Sequence, residues 1–118
     1  MKTLIIGASS NPERYAYMAA DRLLSHGHEI ELLGIRPDII FGKKIDTEKI
    51  KYQGIDTVTL YVGPHRQEEY YDYVLNLKPR RVIFNPGTEN DEFEELLNEN
   101  NIQTEEACTL VLLSSGQY

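Results

Sequence analysis

The sequence predicts an α/β domain built on a doubly wound parallel sheet with helices on both faces. Three observations carry that expectation. Apolar runs of strand length alternate with segments of helical period along the chain. The first run, Leu4-Ile5-Ile6, is continuously apolar, as a strand covered on both faces requires. It ends at Gly7, and small polar residues, a proline and a helical pattern follow at once in "LIIGASSNPERYAYMAADRLL".

Each element has its own signals. After the first strand, Asn11 or Ser10 is placed to cap a helix and Pro12 suits its first position, where no amide hydrogen is needed. Ala16, Ala19, Ala20, Leu23 and Leu24 recur at helical spacing, and Gly27 ends the helix. His28 to Gly34 reads as a second strand with Ile30, Leu32 and Leu33 in the core. An irregular stretch containing "IIFGKKID" runs to Gly54. Thr57 to Val62 is a third strand, broken by Gly63-Pro64. His65 to Leu77 is a second helix, with Tyr70, Tyr71, Val74 and Leu77 as its apolar contacts, and Pro79 stops it. Arg81 to Phe84 is the fourth strand. After "NPGTEN", Asp91 to Asn100 forms a third helix buried through Phe93, Leu96 and Leu97, with acids in its first turn. Ile102 to Thr104 is a weak fifth strand, and a short helix follows from Ala107.

The expected architecture is a Rossmann-like five-stranded sheet in the order 3-2-1-4-5, strands numbered along the chain. A ligand crevice then lies outside the carboxyl ends of strands 1 and 4. Three loops meet there: Gly7 to Asn11, Gly34 to Pro37, and Asn85 to Gly87.

The totals narrow the function. A chain of 118 residues makes one domain, residues 1–118, and its 41% hydrophobic content suffices for a core. No apolar run approaches the length of a bilayer span. Met1-Lys2-Thr3 leads directly into a strand pattern, so no signal peptide is read. A single cysteine fits a reducing compartment, and a cytoplasmic location is expected. The net charge of −7 disfavours nucleic acid as a partner. A small anionic ligand requires a pocket that is positive against this field, which helix N-termini and placed arginines supply.

The first loop fits such a ligand. Gly7 ends a strand where a side chain would obstruct close approach. Ser9, Ser10 and Asn11 offer donors beside the free amides of a helix start, and Arg14 adds charge. Capping and turn formation alone also account for Ser10, Asn11 and Pro12. Only one glycine of a three-glycine dinucleotide fingerprint is present. At the second strand's tip, Gly34-Ile35-Arg36-Pro37, there is no acid to hold the two ribose hydroxyls of NAD. Arg36 is either a solvated loop arginine or the mark of an additional phosphate on the ribose, as in NADP or coenzyme A.

"GASSNPERYAYMAADRLLSHGHEI", "RP…FGKKI", "IDTVTLYVGP" and "RRVIFNPGTEN" follow, in order, the pattern of small stand-alone CoA-binding domain proteins. These resemble the nucleotide-binding domain of the succinyl-CoA synthetase α subunit. The resemblance runs from Leu4 to about Cys108. It implies that Gly7, Ala8, Ser9, Ser10 and Asn11 contact the CoA phosphates and that Gly34, Arg36 and Pro37 lie beside the adenosine. It further implies that Val62, Gly63 and Pro64, with Asn85, Pro86 and Gly87, line the remainder. The chain departs from the family pattern at Arg36-Pro37, where Asn-Pro is usual. It departs again at Phe84-Asn85, where an aromatic and a glutamine usually precede Pro-Gly. The resemblance does not extend to the synthetases' catalytic apparatus.

Other chemistry-bearing residues have ordinary explanations. Cys108 is read as a small buried hydrophobe, His65 as a capping or surface histidine, and Lys43 and Lys44 as solvated. His26 and His28, flanking Gly27, lack a third ligand, so no metal site and no catalytic residue are expected. The expected function is binding of coenzyme A or an acyl-CoA without catalysis. The alternatives are a small NADP-linked oxidoreductase, or a regulatory or scaffold subunit with a vestigial nucleotide pocket. A protein partner or a homo-oligomer is left open.

Overall fold

The computed structural model describes residues 1–118. Its elements run β1 (Lys2–Ile6), α1 (Tyr15–Ser25), β2 (Glu29–Leu33), β3 (Asp38–Ile40), β4 (Lys43–Asp46) and β5 (Thr57–Leu60), then α2 (Tyr71–Leu77), β6 (Arg81–Phe84), α3 (Asp91–Glu99), β7 (Gln103–Glu106) and α4 (Thr109–Ser114). None of the helices is long and apolar enough to cross a membrane.

The doubly wound α/β class is as expected, but the sheet has seven strands in the order β3-β4-β2-β1-β5-β6-β7. Every neighbouring pair is parallel except β3 with β4. The expected count of five and the order 3-2-1-4-5 are both corrected. Among the five anticipated strands the order is 2-1-3-4-5. The cause lies in the stretch after Pro37. Phe41 (φ 51°) and Gly42 (φ 74°) adopt left-handed backbone and fold Asp38–Ile40 back on Lys43–Asp46. β4 then fills the outer edge of β2, pairing Leu32 with Ile45 and Leu33 with Asp46. With that edge occupied, Thr57–Leu60 pairs on the other side of β1. The topological switch therefore falls between β1 and β5.

The sheet divides the core in two. Leu4, Ile6, Val58, Leu60, Val82 and Phe84 face Val74 of α2 and Phe93 and Leu97 of α3. Ile5, Ile30, Leu32 and Ile45 face Ala16, Ala19, Ala20 and Leu23 of α1 and Leu113 of α4. The two-residue period of a strand sends Ile5 opposite to Leu4 and Ile6. Phe84 and Phe93 are fully buried, with rings 5.7 Å apart edge to face. Truncating either to alanine costs about 3–5 kcal/mol.

Two helices begin later than expected. α1 starts at Tyr15 and has no side-chain cap. Asn11 closes a preceding turn instead: its Oδ1 accepts from the Glu13 amide (3.0 Å) and its carbonyl from the Arg14 amide (3.0 Å). Leu24 falls outside the buried stripe and is exposed, while Gly27 (φ 82°) ends the helix as expected. The chain from Pro64 to Tyr70 makes two 3-10 turns before α2, because the side chain of Gln67 pulls this segment onto the neighbouring loops.

α3 is capped by Asn90, whose Oδ1 accepts from the Phe93 amide (3.2 Å). Carboxylate oxygens of Asp91, Glu94 and, from β7, Glu106 lie within 4.8 Å of one another. Burial, and next the Glu106 carboxyl beside it, push Glu94 up to about 7 from its ordinary 4.5. An acid raised in this way binds its proton more tightly in the folded state than in the unfolded one. The stability that results is complete below the unfolded value and disappears as pH rises through about 7. Glu106→Gln is therefore expected to raise Tm more at pH 8 than at pH 5. Thermal unfolding at both pH values checks this, and equal gains at the two would refute it.

Candidate functional site

Four strand ends emerge at one edge of the sheet and enclose a cleft of about 610 Å³. They are Gly7 after β1, Gly34 after β2, Tyr61 to Gly63 after β5 and Pro86 to Thr88 after β6. A second depression of about 720 Å³, between α3 and β7, is lined by Asp91, Glu94, Glu95, Glu99 and Glu106 with Asn98, and this repels anions.

The loop after β1 is held tightly at its base. Gly7 has φ 95°, and a Cβ there would stand 3.0 Å from the backbone carbonyl of Tyr61. Glycine is thus required by the strand passing behind it as well as by the turn. The amides of Gly7 and Ala8 both donate to the Leu33 carbonyl, at 2.9 Å each. The Asn11 amide donates to Ser9 Oγ (3.1 Å). The donors that no protein acceptor takes are therefore further out, at Ser9, Ser10 and the first α1 residues, Tyr15 and Ala16. Gly34 makes the opposing contact, since a Cβ on it would lie 2.5 Å from the Ala8 carbonyl oxygen.

The far wall is pinned by two buried amides. Gln67 Nε2 donates to the Val62 carbonyl (2.9 Å) and the Thr88 carbonyl (2.7 Å), and its Oε1 accepts from Asn90 Nδ2 (2.9 Å). Asn85 Nδ2 donates to Thr59 Oγ1 (2.6 Å) and the Leu60 carbonyl (2.9 Å), while its Oδ1 accepts from the Thr109 amide (2.9 Å). Gln67 thus joins the loops after β5 and β6, and Asn85 joins the tips of those strands to α4.

The electrostatics of the cleft oppose those of the molecule. The chain carries 19 acids, yet none of the nineteen residues lining the cleft is Asp or Glu. Of the six arginines, Arg22, Arg80 and Arg81 are ion-paired, to Asp21, Asp56 and Glu105. The other three, Arg14, Arg36 and Arg66, have no acidic partner, and all three line the cleft. Asp38 stands just outside, its carboxyl held below the usual range by the Ile39 amide and the Ser10 hydroxyl. Burial raises the Tyr61 hydroxyl in the cleft wall to about 12. Burial also raises Tyr70, with Glu69 adding to the shift and Lys49 and Arg66 opposing it. Both phenols stay protonated and neutral at ordinary pH.

Twelve of the fifteen anticipated residues line the cleft. Pro37, Pro64 and Asn85 do not: Asn85 is buried behind the wall with its amide fully used. Cys108, immediately before α4, and His65, packed against Gly63, are also outside the lining. Lys43 pairs with Glu31 at 3.0 Å. Seven more residues line the cleft outside those fifteen: Tyr15, Ala16, Ile35, Tyr61, Arg66, Tyr70 and Thr88. Arg66 had one legible signal: it follows the strand-ending Gly63-Pro64 closely, much as Arg36 follows Gly34.

Fold and cleft together define a doubly wound α/β domain with an arginine-lined cleft, free of Asp and Glu in its lining, at its switch point. Residues 1–114 match the family described as the CoA binding domain. The chain belongs to that family. A solved structure of an uncharacterised protein is 54% identical, with a TM-score of 0.97, covering 99% of this chain and 97% of the other. A Thermus thermophilus structure, cell-free ID.343, shares the fold at 21% identity and TM-score 0.88, covering 99% of this chain and 90% of that one. A hypothetical protein from Pyrococcus horikoshii OT3 does so at 23% identity and TM-score 0.87, covering 96% and 81% of the two chains. No curated protein gives a significant match.

The contact between Gly34 and Ala8 yields a direct test of the site's architecture. Gly34→Ala forces backbone apart rather than a flexible side chain, a cost of about 1–3 kcal/mol. A fall in Tm of about 4 °C per kcal/mol is expected. Thermal unfolding checks it, and an unchanged Tm would mean that the two loops are not in close contact.

Proposed function

We propose that this protein binds coenzyme A or an acyl-CoA in the cleft and performs no chemistry on it. Family membership supports a CoA-binding role. One observation carries the finer assignment: the arginines without acidic partners all line a cleft free of carboxylates on a molecule of net charge −7. Such a cleft lowers the energy of a polyanion that the rest of the surface repels.

In this reading the diphosphate rests on the free amides of Ser9 and Ser10, the start of α1 and Arg14. The adenosine lies along Gly34 to Arg36, where the guanidinium of Arg36 takes the 3′-phosphate in a forked pair. Val62, Gly63, Pro86 and Gly87 border the path of the pantetheine arm. A binding role without catalysis is supported by the lining, which contains no His, Cys, Asp, Glu or Lys to serve as nucleophile or general base.

Calorimetric titration with CoA, dephospho-CoA, NADP and ATP tests this. CoA is expected to bind most tightly, with dephospho-CoA roughly tenfold weaker because one charge-assisted contact is lost. Arg36→Gln should bring CoA down to the level of dephospho-CoA. Tighter binding of NADP than of CoA would favour a nicotinamide-linked enzyme. Failure of every nucleotide to bind would leave a scaffold role.

A further inference from the structure

We propose that Arg66 is the second arm of a diphosphate clamp, closing on the ligand from the flank opposite Arg36. The assignment rests on the CoA-binding reading above and extends it to a residue outside the glycine loop.

Sheet order sets the geometry. β2 and β5 are the two neighbours of β1, each about 4.8 Å from it. Arg36 rises beyond β2, Arg14 stands before α1 above β1, and Arg66 rises beyond β5. A diphosphate held on the Ser9 and Ser10 amides lies over β1 and has one flank toward the adenosine. Its other flank is the wall that carries Arg66, and an arginine side chain spans a single strand spacing with ease. Arg36, engaged with the ribose phosphate, is on the wrong side to serve there.

The segment bearing Arg66 is built to hold a charge in place. The Arg66 amide donates to the Gly63 carbonyl (3.0 Å), and Pro64 stiffens the turn. Gln67, the next residue, is completely buried and is bonded to the carbonyls of both Val62 and Thr88. The guanidinium is thus carried on a turn anchored to two of the strand tips that form the cleft. Its acidic neighbour Glu69 is engaged by Lys49 at 3.2 Å, so Arg66 is not neutralised locally. A planar fork carrying a permanent charge suits phosphate oxygens better than it suits a neutral pantetheine arm.

The test uses ligands that separate the two phosphate sites. CoA and dephospho-CoA share the diphosphate, whereas adenosine 3′,5′-bisphosphate carries the 3′-phosphate with a single 5′-phosphate. Arg66→Gln is expected to weaken CoA and dephospho-CoA by the same factor, roughly tenfold, and the bisphosphate by much less. The ratio of CoA to dephospho-CoA affinity stays constant in this variant and collapses only in Arg36→Gln. Arg66→Lys should recover part of the loss. The Tm of the unliganded Arg66→Gln protein should match wild type, because the side chain is exposed and makes no bond in the structure. Unchanged CoA affinity in Arg66→Gln, or loss for CoA but not dephospho-CoA, would overturn the clamp while leaving the CoA reading intact. If wild type binds neither nucleotide, the CoA reading fails and the clamp fails with it.

Discussion

The carbonyl of Leu33 is the small contact on which the cleft end of this domain depends. It accepts the amides of both Gly7 and Ala8 at 2.9 Å, just where β1 and β2 end. Through it the first loop is fastened to the second strand's tip before either can meet a ligand. Gly34 completes the joint by having no side chain to separate its backbone from Ala8. The loop's outer donors, at Ser9 and Ser10, then project from a base tied to the neighbouring strand by two hydrogen bonds. The same arrangement reassigns the glycines. Gly7 and Gly34 serve the close contacts between strand tips, with Tyr61 and with Ala8.

The far side of the cleft uses a different device. Buried amide side chains there substitute for backbone pairing that irregular loops cannot provide. Gln67 and Asn85 satisfy carbonyls of the strand ends that would otherwise be buried without donors, which is costly in a low-dielectric interior. Their polar groups face inward, so they build the wall without offering contacts to a ligand. A glutamine three residues after a Gly-Pro break reads in one dimension as part of a surface helix, and only its partners reveal the role.

Charge is segregated as clearly as polarity. Asp72, Asp91, Glu92, Glu94, Glu95 and Glu99 belong to α2 and α3, on one face of the sheet. The cleft, with no Asp or Glu among its lining residues, opens at the sheet's carboxyl end, between loops. A net charge of −7 therefore describes the molecule without describing its site. Long-range repulsion slows the approach of any anion, whereas the three arginines without acidic partners make the potential at the cleft locally more favourable to one.

Residue order alone was enough to read the alternation of strands and helices, the parallel class of the sheet, the covered faces of Leu4 to Ile6 and of α1, and the place of the first loop. Those features are local: they follow from apolar period, glycine and proline, which act over a few residues. It did not determine which edge each strand takes. That depended on the tight turn at Phe41-Gly42, which turned an apparent loop into β3 and β4, filled the edge of β2 and sent β5 to the other side of β1. The same event moved the switch point and brought Arg66 to the cleft with Arg14 and Arg36. Asn85 was moved the other way, from an expected ligand contact to a buried strut. Strand pairing joins residues distant along the chain, so the competition for an edge, and the arginines it gathers, were decided only by the tertiary structure.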